Sequence, residues 1–152
     1  MQQTPLDIDL RKLQLKHPPL FNKEDHYKYV NDWRGQYKGQ AAAILKPINT
    51  KEVSSILLFA HENNIDVVPQ GGNTSLCGAA TPDDSGRSII ISLEKMNNIR
   101  QFNKDAQTIT VESGMVLSQI HEIVENDNLF FPLSLGAQGS CMIGGNLSTN
   151  AG

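Results

Sequence analysis

The chain has 152 residues, a net charge of −3 and an apolar fraction of 39%, which suits one domain or two small lobes around a modest core. Its 13 basic and 16 acidic side chains nearly balance, which excludes the strongly basic surface needed to bind nucleic acid or an anionic membrane. Residues 1–20 lack the apolar core of a secretory signal, and no apolar run approaches the roughly 20 residues of a membrane span. We therefore expect a cytoplasmic protein without a transmembrane segment, with peripheral attachment of the full-length protein to the inner membrane left open.

The N-terminal 40 residues are predicted to be an extension that precedes the first lobe. Thr4 is expected to cap a helix that carries leucines at helical spacing, and Pro18 and Pro19 end this helix. Residues 21–39 are polar and aromatic and show no period, so we expect mostly loop there.

The next segment carries the signals of a strand–helix–strand unit. Short apolar runs at residues 41–45 and 65–68 predict two buried strands, and Asn49 or Thr50 is expected to cap the helix between them. The buried stripe of that helix is expected to comprise Val53, Ile56, Leu57 and Ala60. Strand, helix and strand over this length predict a βαβ unit.

The second half of the chain ends in an uncharged stretch. Residues 88–93 are the strongest strand signal, residues 108–112 alternate as a half-buried strand does, and residues 117–124 predict a third helix. Residues 129–131 are interpreted as a last strand. From Asn128 onward no side chain is charged, and a stretch of this composition has to be covered by protein or ligand. We therefore expect that the chain stops short of its natural domain boundary.

The first of two glycine-rich clusters follows a predicted strand and reads Pro69-Gln-Gly-Gly-Asn-Thr-Ser-Leu-Cys-Gly78. Glycines allow consecutive backbone N–H groups to turn toward an anion. Lys and Arg are absent from residues 70–86, so a phosphate bound here would be held by backbone dipoles. A wide surface turn explains the same residues equally well. The cluster has neither a Gly-x-Gly-x-x-Gly nor a Gly-Lys-Ser/Thr fingerprint, which disfavours the two familiar nucleotide sites.

The second cluster covers residues 131–152. Its many small residues allow a flat ligand to approach the backbone closely. Polar side chains that can hydrogen-bond the edge of a heterocycle are Ser140, Asn146, Ser148, Thr149 and Asn150. A flexible linker is the alternative, but the interleaved apolar residues argue against it.

In this order, the two clusters resemble the two FAD-contacting stretches of the flavin dehydrogenase family that includes glycolate oxidase, D-lactate dehydrogenase and D-2-hydroxyglutarate dehydrogenase. The resemblance covers most of residues 41–152 and implies an α+β, two-subdomain FAD-binding fold of the PCMH type with an incomplete second subdomain. It divides the chain into an extension at 1–40, a first FAD-binding subdomain at 41–95 and the start of the second at 96–152.

The resemblance also implies which residues bind the cofactor. In the first cluster these are Pro69, Gln70, Gly71, Gly72, Asn73, Thr74 and Ser75. In the second cluster they are Pro132, Gly136, Gly139, Ser140, Gly144, Gly145, Asn146, Thr149, Asn150 and Ala151. The FAD is expected to be non-covalent, because Asn73 stands where covalent members often carry a histidine. Replacement of Gly72 by valine is expected to weaken FAD binding with little change in the fold.

By the same resemblance, the full-length protein is an FAD-dependent dehydrogenase or oxidase that converts a small 2-hydroxy acid into a 2-oxo acid. The flavin would take the α-hydrogen of the substrate as a hydride equivalent. The substrate would bind through a C-terminal domain that is absent here, so no catalytic residue and no metal ligand is assigned, and the chain alone is expected to be inactive. Two alternatives stay open: an FAD oxidase of the same fold that acts on a sugar, alcohol or aromatic, and a truncated fragment that binds no cofactor.

Three further expectations concern single residues and the tail. His121 and Glu122 are predicted to lie on a solvated helix face. Cys77 and Cys141 are predicted to be small packing residues. The uncharged tail is expected either to be disordered or to bury its apolar side chains by self-association of the fragment.

Overall fold

The computed structural model of the chain describes residues 10–151. A short 3-10 helix at Leu10–Leu13 opens the described part. The helix predicted from Thr4 to the prolines begins outside the described residues, and within them only this short 3-10 segment is helical. The regular elements that follow are α1 (Lys23–Val30), β1 (Ala43–Leu45), α2 (Thr50–Glu62), β2 (Val67–Gln70), β3 (Ile89–Ser92), β4 (Ile99–Asn103), β5 (Thr108–Val111), α3 (Leu117–Glu125) and α4 (Ile143–Ser148).

Strands β1, β2 and β3 form a three-stranded parallel sheet in the order β1-β3-β2. All three predicted strands are confirmed, but the two strands of the predicted βαβ unit are not neighbours, because β3 lies between them. Ala43 and Val67 both pair with Ile89. Both faces of β3 are covered, since Ile89, Ile90 and Ile91 are at most 3% exposed, and this explains its unbroken apolar run.

Helix α2 covers one face of this sheet. Asn49 caps it, with its side-chain oxygen accepting from the Glu52 N–H at 2.9 Å, as the sequence predicted. Ile56 and Ala60 pack against the sheet. Leu57 was expected in the buried stripe but is 47% exposed, because the face that reaches the sheet is narrower than the predicted one.

Helix α1 covers the opposite face and lies inside the region predicted as loop. Asn22 caps it by accepting from the Glu24 N–H. Tyr29 packs with Ile44 and Ile90 of the sheet. The prediction of mostly loop for residues 21–39 missed this helix, because the helix is largely polar and buries few side chains and so has no apolar stripe that a pattern could reveal.

The part of the chain after β3 contains the antiparallel pair β4–β5 and the helices α3 and α4. The sequence analysis missed β4, whose side chains are almost all exposed and give no alternation. It also missed α4, where two glycines hide a helical signal. The strand expected at residues 129–131 is not formed. Those residues run as irregular backbone, and Phe131 packs on the cluster built around Ile120.

The uncharged tail is folded over its described part, so the expectation of a disordered tail is not met. Ile143 donates its N–H to the Met115 carbonyl and Leu117 donates to the Cys141 carbonyl, which fastens the tail to the start of α3. Phe130 and Leu147 nevertheless remain 79% and 76% exposed. Among residues 10–151, no helix has the length and apolar character needed to cross a bilayer.

Candidate functional site

The first glycine cluster forms a half-buried loop at the carboxyl end of β2. Within residues 10–151, none of the six consecutive backbone N–H groups from Gly71 to Leu76 donates a hydrogen bond to the protein. Partly buried N–H groups normally find a partner. A row of free N–H groups at the carboxyl edge of parallel strands is suited to an anionic ligand.

The kink in this loop is made by an asparagine and not by a glycine. Asn73 has φ of 53°, a left-handed conformation that asparagine tolerates better than most residues. Its amide nitrogen donates to the carbonyls of Lys28 at 3.2 Å and Asn31 at 2.7 Å. The side chain of Asn73 therefore anchors the loop to the end of α1, and its donor group is committed inside the protein.

Gln70 anchors the start of the same loop. It is 2% exposed, and its amide nitrogen donates to the carbonyls of Tyr29 at 2.8 Å and Ala80 at 2.7 Å. Gln70 was assigned to cofactor binding by resemblance. The structure turns its side chain away from the loop surface and uses it to join β2, α1 and the far end of the loop.

The turn after α1 holds the end of the loop. Arg34 donates from its guanidinium to the Leu76 carbonyl and lies 3.6 Å from a carboxylate oxygen of Asp32. Burial raises the pKa of Asp32, but the backbone N–H groups of Tyr37, Gln36 and Arg34, together with the Arg34 charge, outweigh it and hold that pKa below its usual value. Asp32 is therefore ionised and paired at neutral pH.

The sequence analysis missed this contribution of residues 22–38 to the loop. The signals available were the Asn22 cap with acidic residues in the first helical turn, and Asp32 followed by Gly35, which has φ of 68°. These signals predict a helix and a turn. They do not reveal that both lie against a loop far along the chain.

The two glycine clusters meet in space. A Cβ built on Gly72 would lie 1.9 Å from the Ser140 carbonyl oxygen, and one on Gly71 would lie 3.4 Å from the Met142 Cβ. The φ of Gly72 is outside the left-handed region. Gly72 is thus required by the contact between the clusters, and the expectation that valine there would leave the fold nearly unchanged is corrected.

Residues of the second cluster fall into two groups. A Cβ on Gly136, Gly139 or Gly145 would meet nothing within 4 Å, so these glycines border open space. Predicted site residues with exposed side chains are Pro132, Ser140, Thr149 and Asn150.

Gly144 and Asn146 belong to the interior. A Cβ on Gly144 would lie 2.6 Å from the Ser113 Cβ, which explains that glycine by packing. Asn146 is 5% exposed and points its amide toward the Cys141 sulfur at 3.5 Å. The backbone carbonyl of Asn146 accepts from the Ala151 N–H. Gly144 and Asn146 therefore support the backbone of the second cluster from the protein interior.

Two single-residue predictions require correction. Cys141 is buried as expected, but Cys77 is exposed in the first cluster. Its sulfur lies 3.2 Å from the Ser75 hydroxyl, and that contact is the main cause of a lowered pKa of the Cys77 thiol. His121 is half-buried and not fully solvated, and its Nε2 lies 2.8 Å from the Leu133 carbonyl oxygen.

A charged cluster occupies the same edge of the sheet. Glu94, two residues after β3, lies 3.5 Å from the ammonium groups of both Lys28 and Lys46 and accepts from the Tyr29 hydroxyl at 3.3 Å. Burial raises the pKa of Glu94, but Lys28 and Lys46 outweigh this effect, and the pKa lies below its usual value.

Similar proteins include several 2-hydroxy acid dehydrogenases. The chain is 43% identical over 147 residues to a rice (Oryza sativa) protein named "Probable D-2-hydroxyglutarate dehydrogenase, mitochondrial", covering 96% of the chain and 26% of that protein. It is 41% identical over 121 residues to the mitochondrial D-2-hydroxyglutarate dehydrogenase of Bos taurus, covering 80% and 22%. The chain thus spans about a quarter of the length of these relatives.

The names of these relatives contradict the expected cytoplasmic location. The rice and cattle proteins are both named as mitochondrial. The expectation was based on the lack of a secretory signal, and this feature does not distinguish the cytoplasm from another compartment inside the cell.

Two solved structures share the fold. Alkyldihydroxyacetonephosphate synthase superimposes with a TM-score of 0.79 at 20% identity, over 91% of this chain and 28% of that one. Xylooligosaccharide oxidase from Myceliophthora thermophila superimposes with a TM-score of 0.73 at 18% identity, over 90% and 28%. These matches confirm the expected α+β FAD-binding fold of the PCMH type. The model of the family described as FAD binding domain matches residues 41–152, well over half of the chain, and the chain therefore belongs to that family.

Proposed function

We propose that residues 71–76 bind the pyrophosphate of FAD and that the second cluster lines the flavin side of the site. The row of free N–H groups from Gly71 to Leu76 carries this proposal, because a pyrophosphate needs several donors at once and this loop has six without a partner in the described residues. From Gly71 to Ser75 the side chains are absent or short, so the ligand can reach the backbone.

The second cluster fits the rest of such a ligand. Gly136, Gly139 and Gly145 face open space, which leaves room for a flat ring against the backbone. The hydroxyl of Thr149 donates to the Gly145 carbonyl at 2.9 Å. We therefore assign this hydroxyl a structural role at the end of α4. The remaining residues assigned by resemblance, and the division into subdomains at 41–95 and 96–152, are part of the same proposal.

We infer that the attachment of FAD is non-covalent. An amide is a poor nucleophile, and the Asn73 amide is already engaged by the Lys28 and Asn31 carbonyls. No covalent bond to the flavin is expected from this position.

The proposed activity of the full-length protein is oxidation of a small 2-hydroxy acid to a 2-oxo acid. The names of the rice and cattle relatives support this substrate class. Bound FAD would supply the acceptor for the hydrogen removed from the substrate. The present residues bind and orient the cofactor, and groups that bind the substrate are assigned to the part of the relatives that this chain does not span.

Hydrogen exchange measured on the full-length protein with and without FAD tests the proposed site. The amides of residues 71–76 should exchange freely in the FAD-free protein and become protected when FAD is added. Strand β3 at Ile89–Ser92 serves as an internal reference, because its amides are already paired. FAD binding without protection of residues 71–76 would remove this loop from the site.

The substrate class requires a separate test. Reduction of the bound flavin should be followed with D-2-hydroxyglutarate, D-lactate and glycolate, and with sugars and primary alcohols. Flavin reduction by a hydroxy acid supports the proposal. Reduction by a sugar or alcohol alone would favour an oxidase of the same fold.

A further inference from the structure

Residues that precede the family match hold the candidate cofactor loop in place. The FAD binding domain model begins at residue 41, yet the loop is fastened by carbonyls of Lys28 and Asn31 and by the guanidinium of Arg34. We define residues 22–38 as the brace. Its contacts reach the beginning, the kink and the end of the loop, so the brace determines where the free N–H groups point.

Arg34 is the part of the brace best placed to control the end of the loop. Its guanidinium donates to the Leu76 carbonyl, and Leu76 is the last residue of the row of free N–H groups. Fixing that carbonyl fixes the plane of the peptide bond that follows it. The next residue, Cys77, donates its N–H to the Ser75 hydroxyl at 3.3 Å. The peptide bond between Leu76 and Cys77 is therefore held on both sides, at its carbonyl and at its N–H.

Asp32 holds Arg34 in that position. The Asp32 carboxylate is 2% exposed, accepts from the Tyr37 N–H at 2.8 Å and lies 3.6 Å from the Arg34 Nε. A guanidinium is a planar fork that can meet two acceptors at once, whereas an ammonium on a flexible stem cannot reproduce this arrangement. The opposite charge of Asp32 also largely offsets the charge of Arg34 toward any anion in the loop.

We propose, on the basis of the cofactor site proposed above, that Arg34 is a positioning residue for FAD that acts through the Leu76 carbonyl with Asp32 behind it. Its effect is geometric. The Arg34 guanidinium, in contact with both the Asp32 carboxylate and the Leu76 carbonyl, keeps the row of N–H groups aligned before FAD binds. Pre-organised donors bind a ligand more tightly because less ordering is left for the binding step.

The test compares four variants of the full-length protein. Arg34→Lys keeps the charge and loses the fork, Arg34→Gln loses both, and Asp32→Asn keeps the acceptor for the turn and loses the ion pair. Arg87→Lys is the matched control, since Arg87 is an exposed arginine that follows the loop. FAD affinity is measured by titration of the FAD-free protein at low and high salt, and thermal unfolding without FAD monitors the fold.

A geometric role predicts that Arg34→Lys, Arg34→Gln and Asp32→Asn each weaken FAD binding by about tenfold, with the same salt dependence as the wild type. Arg87→Lys should bind as the wild type does. At saturating FAD, protection of the amides of residues 71–76 should be reduced in Arg34→Lys, while protection of β3 is unchanged. A role confined to general stability would not alter the protection of the loop selectively.

Three results would overturn the inference about Arg34, and a fourth would overturn the proposed function on which it rests. Wild-type affinity in Arg34→Lys together with weak binding in Arg34→Gln would show that charge, and not geometry, is what matters. Wild-type affinity in all variants would exclude Arg34. Failure of both Arg34→Lys and Asp32→Asn to fold without FAD would make the pair merely structural. A wild-type protein that binds no FAD would refute the proposed function itself.

Discussion

At the scale of single residues, sequence reasoning located the first cluster but did not predict what the side chains of Gln70 and Asn73 contact. Glycine and asparagine in a loop after a strand predict an anion site, and the free N–H groups agree with that prediction. The side chains of Gln70 and Asn73 donate hydrogen bonds to carbonyls of α1 and of the turn after it. These bonds could not be predicted, because they join segments some forty positions apart along the chain.

Gly72 is expected to tolerate no side chain. Gly72→Ala should destabilise the full-length protein by about 1–3 kcal/mol and weaken FAD binding, since its Cβ would lie 1.9 Å from the Ser140 carbonyl oxygen. Urea unfolding of the FAD-free protein measures the change. Gly136→Ala is the control, because a Cβ there meets nothing within 4 Å and stability should be retained. Equal stability of both variants would contradict the packing of the two clusters.

Asn73 combines a backbone role with a side-chain role, and two variants separate them. Asn73→Gly keeps access to the left-handed φ of 53° but loses both hydrogen bonds, whereas Asn73→Ala loses both features. FAD affinity should fall from wild type to Asn73→Gly, by about tenfold for the lost bonds, and again to Asn73→Ala. Isothermal titration with FAD measures the order. Wild-type affinity in Asn73→Gly would show that its hydrogen bonds to α1 are dispensable.

At the scale of elements, the strands and helices with apolar periodicity were predicted and the others were not. The three isoleucines of β3 are buried on both faces, and α3 buries Leu117, Ile120 and Val124, so their patterns were visible. Helix α1 is polar, β4 is exposed and α4 contains two glycines. Tertiary contacts stabilise these elements, and a pattern of local residues does not show such contacts.

The contact between α1 and the carboxyl edge of the sheet should depend on pH. The folded protein lowers the pKa of Glu94, so this carboxylate stabilises the fold fully above its unfolded pKa, about 4.3. That stabilisation is lost as the pH falls through the lower folded value. The midpoint of urea unfolding should therefore decline between about pH 5 and pH 3.

A variant comparison identifies the group responsible for this decline. Glu94→Gln should flatten the pH dependence, because its amide does not titrate in this range. Glu122→Gln is the control, since Glu122 is exposed and forms no ion pair within the described residues. An unchanged slope in Glu94→Gln would rule out Glu94 as the source.

At the scale of the whole molecule, the resemblance of the two clusters predicted the family and the fold, which the family match and the solved structures confirm. It did not predict that the clusters touch through Gly72 and Ser140. That contact joins two stretches of sequence that no local pattern connects. It follows that FAD binding should stabilise both clusters together.

Addition of FAD should raise the melting temperature of the full-length protein. A ligand present at about 100 times its Kd contributes about 2.7 kcal/mol to stability. Riboflavin, which lacks the pyrophosphate, is the matched control and should produce a much smaller shift, because it cannot use the free N–H groups of residues 71–76. Equal shifts with both ligands would show that the loop does not contribute to affinity.

The central position of β3 has a consequence for the order in which the chain can fold during synthesis. Within residues 10–151, strands β1 and β2 do not pair with each other: both pair with β3, and β1 also bridges to Leu20 through Ile44. A nascent chain that has emerged only as far as β2 therefore cannot form the parallel sheet until Ile89–Ser92 has left the ribosome. Residues 71–76, proposed above to bind FAD, lie between β2 and β3, so this loop can take its place at the edge of the sheet only after the strand that follows it has been made.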